Sequence, residues 1–142
     1  MMATNRSYRF GLMMMAVLAF VPVAAAADSI AWRTSYAAAQ QEAVQSGRPV
    51  VVSVSSRGCR WCRELERSTY RDPRVVGVLN ARAVPLKIDA NDPAHEALVD
   101  ALRLQGVPTL AIISPQGQIL ANQAGYLDAG QFLGWLGPIV GQ

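Results

Sequence analysis

Cys59 and Cys62 are the only cysteines in this 142-residue chain, and they form a C-x-x-C pattern within "RGCRWCRELE" at residues 57–66. A spacing of three residues on a helix brings both sulfurs to one face, with the Cβ atoms about 5–6 Å apart. A disulfide between them can therefore open and close without refolding. Cys59 falls in the first turn, where free amides and the helix dipole favour a thiolate, whereas Cys62 falls one turn further in. The spacing thus predicts that Cys59 attacks a disulfide and that Cys62 resolves the resulting mixed disulfide.

A C-x-x-C pair can also bind zinc, form a structural disulfide or bind copper(I). A zinc site needs about four ligands, and His95, the single histidine, lies on a different predicted helix. A structural disulfide at this spacing closes too short a loop to constrain the unfolded chain strongly. A copper(I)-binding dithiol stays open as the alternative, although all five methionines precede residue 16. No metal site is predicted.

The first 27 residues have the parts of a secretory signal peptide. Two arginines precede an apolar run from residue 10 to residue 21, and an alanine-rich exit follows. The run is shorter than the roughly 20 apolar residues that span a bilayer, which disfavours the alternative of an uncleaved membrane anchor. We therefore expect residues 1–27 to be a cleaved signal peptide and residues 28–142 to form one domain.

The charge and the predicted export limit the kinds of partner. Two of the thirteen Lys and Arg side chains lie in the predicted signal peptide, so eleven basic side chains face ten acidic ones in the remainder. Such a balance does not indicate a nucleic-acid partner. Asn80, Asn91 and Asn122 lack the Ser or Thr of a glycosylation sequon. Export without such sequons favours a bacterial periplasm as the location.

Apolar patterns and turn residues predict an α/β domain in the order α, β, α, β, α, β, β, α. The predicted elements are helix 32–46, strand 50–55, a helix from 59 to 70 with a break near 72, strand 83–89, helix 91–106, strands 108–113 and 118–123, and a final helix capped by Asp128. The first two strands are expected to be parallel and the last two to form an antiparallel hairpin. This gives a mixed sheet of four strands with helices on both faces, and the cysteine pair follows the carboxyl end of the central strand.

A second motif, "GVPT" at residues 106–109, opens the third predicted strand about 45 residues beyond the cysteines. A C-x-x-C at a helix start combined with this motif resembles the thioredoxin-like family. With "DPRV" and "KID" at their spacings, the chain is similar to exported thioredoxin-family domains related to the carboxyl-terminal thiol domain of periplasmic disulfide interchange proteins. The resemblance covers almost all of residues 28–142.

The resemblance implies thiol-disulfide exchange, with Cys59 as the nucleophile and Cys62 as the resolving thiol. It also implies that Pro108 follows a cis peptide bond, which a proline makes accessible at modest cost. That bond would turn the backbone of Val107 toward an extended substrate segment beside Cys59. Val107, Pro108 and Thr109 are accordingly assigned to substrate binding.

Three positions depart from the family pattern. Gly58 replaces the tryptophan that usually precedes the first cysteine, and Arg60-Trp61 stands where thioredoxins have Gly-Pro. Ser53 stands where thioredoxins commonly bury an acid that helps to deprotonate the resolving cysteine. Glu64, Glu66 or water could take that part. Arg60 is expected to stabilise a neighbouring thiolate and so to tune the pair.

Arginines recur through the cysteine segment, at positions 57, 60, 63, 67, 71 and 74. Glu64 and Glu66 lie three or four residues from several of them, which favours a solvated helix surface of ion pairs over a basic docking face. Trp61 is expected to be partly exposed, where it contacts substrate or packs on the domain.

Other side chains receive structural roles. His95 is expected to be an exposed helix residue and not a catalytic base. Trp32 and Trp135 are expected to lie in the core.

Together these features predict a periplasmic thiol-disulfide oxidoreductase that exchanges disulfides with exported proteins. We expect it to act as a reductase rather than an oxidant and to be re-reduced by a membrane thiol electron donor. Apart from the redox-active Cys59–Cys62 disulfide, no cofactor is predicted. The alternative is a thioredoxin-like copper(I) carrier.

Overall fold

The computed structural model describes residues 27–141. The predicted signal peptide lies outside these residues, apart from Ala27. The elements in chain order are α1 (Tyr36–Ser46), β1 (Val50–Ser55), α2 (Arg60–Arg67), α3 (Pro73–Arg82), β2 (Val84–Asp89), α4 (Glu96–Leu102), β3 (Thr109–Ile113), β4 (Ile119–Ala124) and α5 (Ala129–Val140). None of the helices in the described range is both long enough and apolar enough to cross a bilayer.

The four strands form one mixed sheet in the order β2-β1-β3-β4, as predicted. β1 and β2 are parallel, with Val50 opposite Val84, and β1 and β3 are antiparallel, with Val54 opposite Thr109. β3 and β4 form the antiparallel hairpin at the edge. β1 is therefore central, and its carboxyl end is at the same edge of the sheet as the first residue of β3.

Side chains from the two faces of the sheet enter two separate apolar cores. Alternate residues of β1 point to opposite faces, so Val50, Val52 and Val54 pack with α1 and α4. Val51 points the other way and packs with residues of α2, α3 and α5. This burial on both faces explains the continuous apolar run of β1.

The first helix begins later than predicted. Arg33 is held extended beside β2, because its N–H donates to the Pro85 carbonyl and its own carbonyl accepts from Lys87. The Ser35 hydroxyl then caps α1 by accepting from the Ala38 N–H. The segment before Ser35 thus bonds to the sheet and cannot join the helix.

The helix predicted at 91–106 is shorter and in two parts. A 3₁₀ turn at Pro93–His95 precedes α4, which ends at Leu102. Arg103 ends the helix in a left-handed conformation with φ of 48°, so the predicted stop at Gly106 is wrong. The Asn122 side chain on β4 donates to the Leu102 carbonyl at 2.6 Å, which satisfies an acceptor that a longer helix would have used.

The break after the cysteine helix is confirmed. α2 ends at Arg67, a 3₁₀ turn covers Thr69–Arg71, and Asp72 caps α3 by accepting from the Arg74 N–H. Hydrogen bonds and an ion pair with Arg74 hold the pKa of Asp72 at about 2. Pro73 occupies the first helical position, where no N–H is needed.

Three expectations about burial need correction. His95 is buried and not exposed, with Nδ1 lying 3.4 Å from an Asp92 carboxylate oxygen. Its place in the 3₁₀ turn directs the ring away from solvent, beside a cavity that Tyr36 and Ile113 also line. Trp32 and Trp135 are only half-buried, at the margin of the core that contains Phe132.

Candidate active site

The turn between β1 and α2 places Cys59 at the edge of the sheet. The Cys59 N–H donates to the Ser56 carbonyl, and Gly58 adopts φ of 79°, a left-handed conformation that L side chains rarely adopt. This backbone requirement explains why glycine precedes the first cysteine. Cys59 and Cys62 form a disulfide with their Cα atoms 5.3 Å apart.

The two cysteines differ in exposure. Cys59 is the N-cap of α2, and its sulfur accepts from the Cys62 N–H at 3.1 Å. Cys59 is half-buried, whereas Cys62 is buried. After reduction, the amide and the positive end of the helix would favour a thiolate at Cys59. Cys59 is thus the sulfur that a substrate can reach.

A pair of buried hydroxyl groups lies on the face of β1 that α2 and α3 cover. The Tyr70 hydroxyl donates to the Ser53 Oγ at 2.7 Å, and both side chains are buried. Burial raises the pKa of Tyr70 well above its usual value. Where thioredoxins commonly bury an acid, this chain therefore holds a neutral hydroxyl pair.

Glu66 is the carboxylate beside this hydroxyl pair. Lys87 lies opposite Ser53 in the sheet register, and its Nζ forms an ion pair with Glu66. The same ammonium lies 5.9 Å from the centroid of the Tyr70 ring. Glu64 instead pairs with Arg67 on the exposed side of α2. Of the carboxylates considered from the sequence, Glu66 is the one near the buried hydroxyls.

We expect the Tyr70 hydroxyl to resist ionisation for as long as the protein is folded. A tyrosine in an unfolded chain ionises near pH 10, so the stability that un-ionised Tyr70 contributes is lost as pH rises above that value. Near-ultraviolet tyrosinate absorbance should show a delayed component that coincides with unfolding by circular dichroism. Tyr70→Phe should remove this component and cost about 1 kcal/mol of stability.

Tyr126→Phe is the matched control, because Tyr126 is half-buried and its hydroxyl contacts Ser68. It should leave the delayed component in place. A delayed component that survives in Tyr70→Phe would contradict the assignment.

Pro108 lies beside the cysteine turn. Thr109 is opposite Val54, so the preceding Pro108 falls at the level of the end of β1, from which the chain leads to Cys59. The Val107–Pro108 peptide bond is cis. Within residues 27–141, neither the N–H nor the C=O of Val107 forms a hydrogen bond. The Val107 backbone is therefore free to pair with another chain.

Thr109 and Pro108 are both buried, whereas Val107 is half-buried. The Thr109 Oγ1 donates to the Gly106 carbonyl at 2.7 Å. The hydroxyl closes the turn that carries Val107 and Pro108. Thr109 thus fixes the shape of this turn.

Trp61 is 51% exposed between the two cysteines. Its ring centroid lies 5.5 Å from that of Tyr126, and the Arg60 guanidinium lies 5.5 Å from the ring centroid. The indole therefore packs on the domain and also presents apolar surface to solvent. Trp61 can therefore both contact a substrate and pack on the domain, the two roles predicted from the sequence.

The expected ion pairs form only in part. Arg67 and Arg74 have carboxylate partners, but Arg57, Arg60 and Arg63 form no ion pair with any residue in the described range. The ion pair between Lys87 and Glu66 was not predicted from the sequence. Across residues 27–141, no three His, Cys, Asp or Glu side chains come together as a metal site.

Comparison with known proteins identifies the family. The family described as thioredoxin-like domain matches residues 36–138, which is most of the chain. The chain belongs to this thioredoxin-like family. The solved thioredoxin from Thermus thermophilus superposes with a TM-score of 0.70 at 27% identity, covering 78% of this chain and 87% of that one.

Two curated relatives are thiol:disulfide interchange proteins DsbD. The one from Salmonella typhi is 33% identical over 96 residues, which is 66% of this chain and 17% of that protein. The one from Haemophilus ducreyi is 33% identical over 101 residues, which is 68% of this chain and 18% of that protein. The chain thus spans less than a fifth of the length of these relatives.

The oxidised carboxyl-terminal domain of Neisseria meningitidis DsbD gives a TM-score of 0.57 at 25% identity, covering 74% of this chain and 97% of that domain. The fold, the family and the disulfide-bonded C-x-x-C pair agree. The protein is a thioredoxin-like thiol-disulfide oxidoreductase.

Proposed function

We propose that the protein reduces disulfides of exported proteins in the periplasm, with Cys59 as the nucleophile and Cys62 as the resolving thiol. The observation that carries this proposal is the half-exposed Cys59 sulfur at the start of α2, which accepts from the Cys62 N–H. Cys62 is buried beneath it. The less buried Cys59 can meet a substrate, and the buried Cys62 can then resolve the mixed disulfide.

The exchange consists of two thiol-disulfide steps. The Cys59 thiolate attacks one sulfur of the substrate disulfide, and the other substrate sulfur leaves as a thiolate that takes up a proton. Cys62 then loses its proton and attacks the Cys59 sulfur, which releases the second substrate thiolate. The substrate gains two electrons, and the Cys59–Cys62 disulfide is formed.

The turn at residues 106–109 supports binding of an extended substrate segment. The unbonded N–H and C=O of Val107 can form backbone hydrogen bonds with such a segment, as in strand addition. Pro108 lies below it at the level of the end of β1, and the exposed part of Trp61 can contact side chains near the disulfide. We propose Val107, Pro108 and Trp61 as the substrate contacts, with Thr109 holding the turn.

The location and the electron donor are part of the same proposal. The basic and apolar segments of residues 1–27 support export through a cleaved signal peptide, leaving residues 28–142 in the periplasm. A reductase there needs its dithiol restored after each turnover. The similarity to part of DsbD supports a membrane thiol donor as the source of the two electrons.

The reduction potential of the cysteine pair tests the direction of exchange. Because the chain belongs to the thioredoxin-like family and superposes on a thioredoxin, we expect a value of about −270 mV, the thioredoxin range, where the dithiol donates electrons. The measurement is equilibration of residues 28–142 in defined glutathione or dithiothreitol buffers, followed by thiol labelling, with Trp61 fluorescence as a second signal.

A potential near about −120 mV would reverse the direction and make the protein an oxidant. The Cys62→Ser variant is the control for the fluorescence signal, since it cannot form the internal disulfide. If the reduced protein bound one copper(I) tightly and exchanged no disulfides, the copper-carrier alternative would replace the proposal.

A further inference from the structure

Three arginines around the reactive sulfur have no carboxylate partner in the described part of the chain. Arg57 precedes Cys59 by two residues, and Arg60 and Arg63 follow it in the first turn of α2. All three side chains are exposed. The nearest carboxylates along the sequence are engaged elsewhere, because Glu64 pairs with Arg67 and Glu66 pairs with Lys87.

The positive charge of these arginines adds to that of the helix start. Arg60 and Arg63 are three residues apart and so lie on one side of α2, and the amino end of α2 carries its own partial positive charge. Unneutralised charges of one sign raise the electrostatic potential around Cys59 and attract an anionic partner from a distance. Among residues 28–142 the charges nearly balance, so this surface is a local excess.

The acidic residues at the same edge of the sheet lie on the other side of β1. Asp89 ends β2 opposite Ser55, and its carboxylate accepts from the Asn91 N–H. Asp92 similarly accepts from the Ala94 N–H. β3, with Pro108 before it, flanks β1 on the opposite side. A segment bound along Val107 would therefore lie away from these two carboxylates.

An aromatic side chain, Trp61, lies beside Arg60. Trp61 is half-exposed, packs on Tyr126 and lies under the Arg60 guanidinium. Tryptophan, tyrosine and arginine are the residue types that dominate protein-protein contacts. This composition fits a protein segment better than a small inorganic anion.

We propose that Arg57, Arg60 and Arg63, together with Trp61, dock an acidic segment that flanks the disulfide of the protein substrate. The inference rests on the proposed exchange at Cys59 and specifies the class of substrate. Because the arginines are exposed, each ion pair adds little affinity. Their main effect is to speed encounter with acidic partners, and salt weakens that effect.

The test uses three synthetic peptides, each with one internal disulfide and flanked by three Glu, three Gln or three Lys residues. Second-order rate constants for their reduction by the dithiol form of residues 28–142 are measured by acid quench. At low ionic strength the Glu peptide should react about tenfold faster than the Lys peptide. Near 1 M salt, where the Debye length is about 3 Å, the ratio should approach one.

The R57Q/R63Q variant should lower the Glu-to-Lys ratio to about threefold at low ionic strength. Comparing peptides on the same protein cancels any change in the nucleophilicity of Cys59. The matched control is R71Q/R82Q, which removes the same charge from exposed arginines outside α2 and its preceding turn. The control should keep the tenfold ratio.

Equal rates for the three peptides would overturn the docking proposal while leaving exchange at Cys59 intact. A ratio lost in R71Q/R82Q but kept in R57Q/R63Q would also overturn it. If no peptide were reduced, the proposed function itself would fail.

Discussion

Replacing Cys59 with serine should abolish disulfide exchange, whereas replacing Cys62 with serine should stop the reaction at a mixed disulfide. A serine hydroxyl cannot attack a disulfide, so we expect Cys59→Ser to lower the exchange rate by at least about a thousandfold, the scale on which removing a nucleophile acts in enzymes. Cys62→Ser leaves the Cys59 sulfur in place but removes the thiol that resolves the intermediate. The covalent complex should then accumulate.

The measurement is incubation of each variant with a protein that carries a disulfide, followed by acid quench and non-reducing electrophoresis. Mass spectrometry of the excised complex should find the linkage at Cys59. A reductant should cleave this mixed disulfide and separate the two proteins. The double variant C59S/C62S is the control and should trap nothing.

The roles of the two cysteines would be exchanged if Cys59→Ser trapped complexes through Cys62. The difference in burial makes that outcome unexpected, because the Cys62 side chain is only 7% exposed. Absence of complexes in both single variants would remove the exchange proposal and leave the copper(I) alternative to be tested.

Local signals account for the elements that the sequence predicts well. The break before α3 is encoded by a capping Asp72 and a Pro73 that tolerates the first helical position. β1 is encoded by an apolar β-branched run, because helices cover both its faces. These signals depend on neighbours in the chain and need no knowledge of the fold.

The features that were missed depend on contacts between distant residues. α4 ends early, and the Asn122 side chain, 20 residues away, bonds to its last carbonyl. The Tyr70 hydroxyl reaches Ser53, 17 residues earlier, across the packing of α2 and α3 on the sheet. Neither contact has a periodic pattern that a single sequence could reveal.

The candidate site shows the same division. The C-x-x-C pair and the Gly-Val-Pro-Thr motif are visible in the sequence, and the strand register brings them to one edge of the sheet. The ion pair between Glu66 and Lys87 could not be predicted from the sequence, because it joins residues that are distant along the chain. Glu66 is within reach of arginines on its own helix but pairs with Lys87 on β2. The arginines beside Cys59 therefore have no carboxylate partner among residues 27–141.

Truncating Phe132 to alanine should cause the largest loss of stability among the changes considered. Phe132 on α5 is fully buried, with its ring centroid 6.2 Å from that of Tyr70 and 5.9 Å from that of Trp135. Removing a buried phenylalanine ring costs about 3–5 kcal/mol, through lost apolar burial and the cavity left behind. Domains of this size are stable by only about 5–15 kcal/mol, so Phe132→Ala should remove a large fraction of the free energy of unfolding.

Urea denaturation followed by circular dichroism measures this loss, on the oxidised protein so that the disulfide is the same in every sample. Val44→Ala is the matched control, since Val44 is 65% exposed and should change the free energy of unfolding by less than about 0.5 kcal/mol. Phe132→Leu keeps most of the apolar volume and should fall between the two. A Phe132→Ala loss as small as that of Val44→Ala would show that the core around Tyr70 is not packed as described.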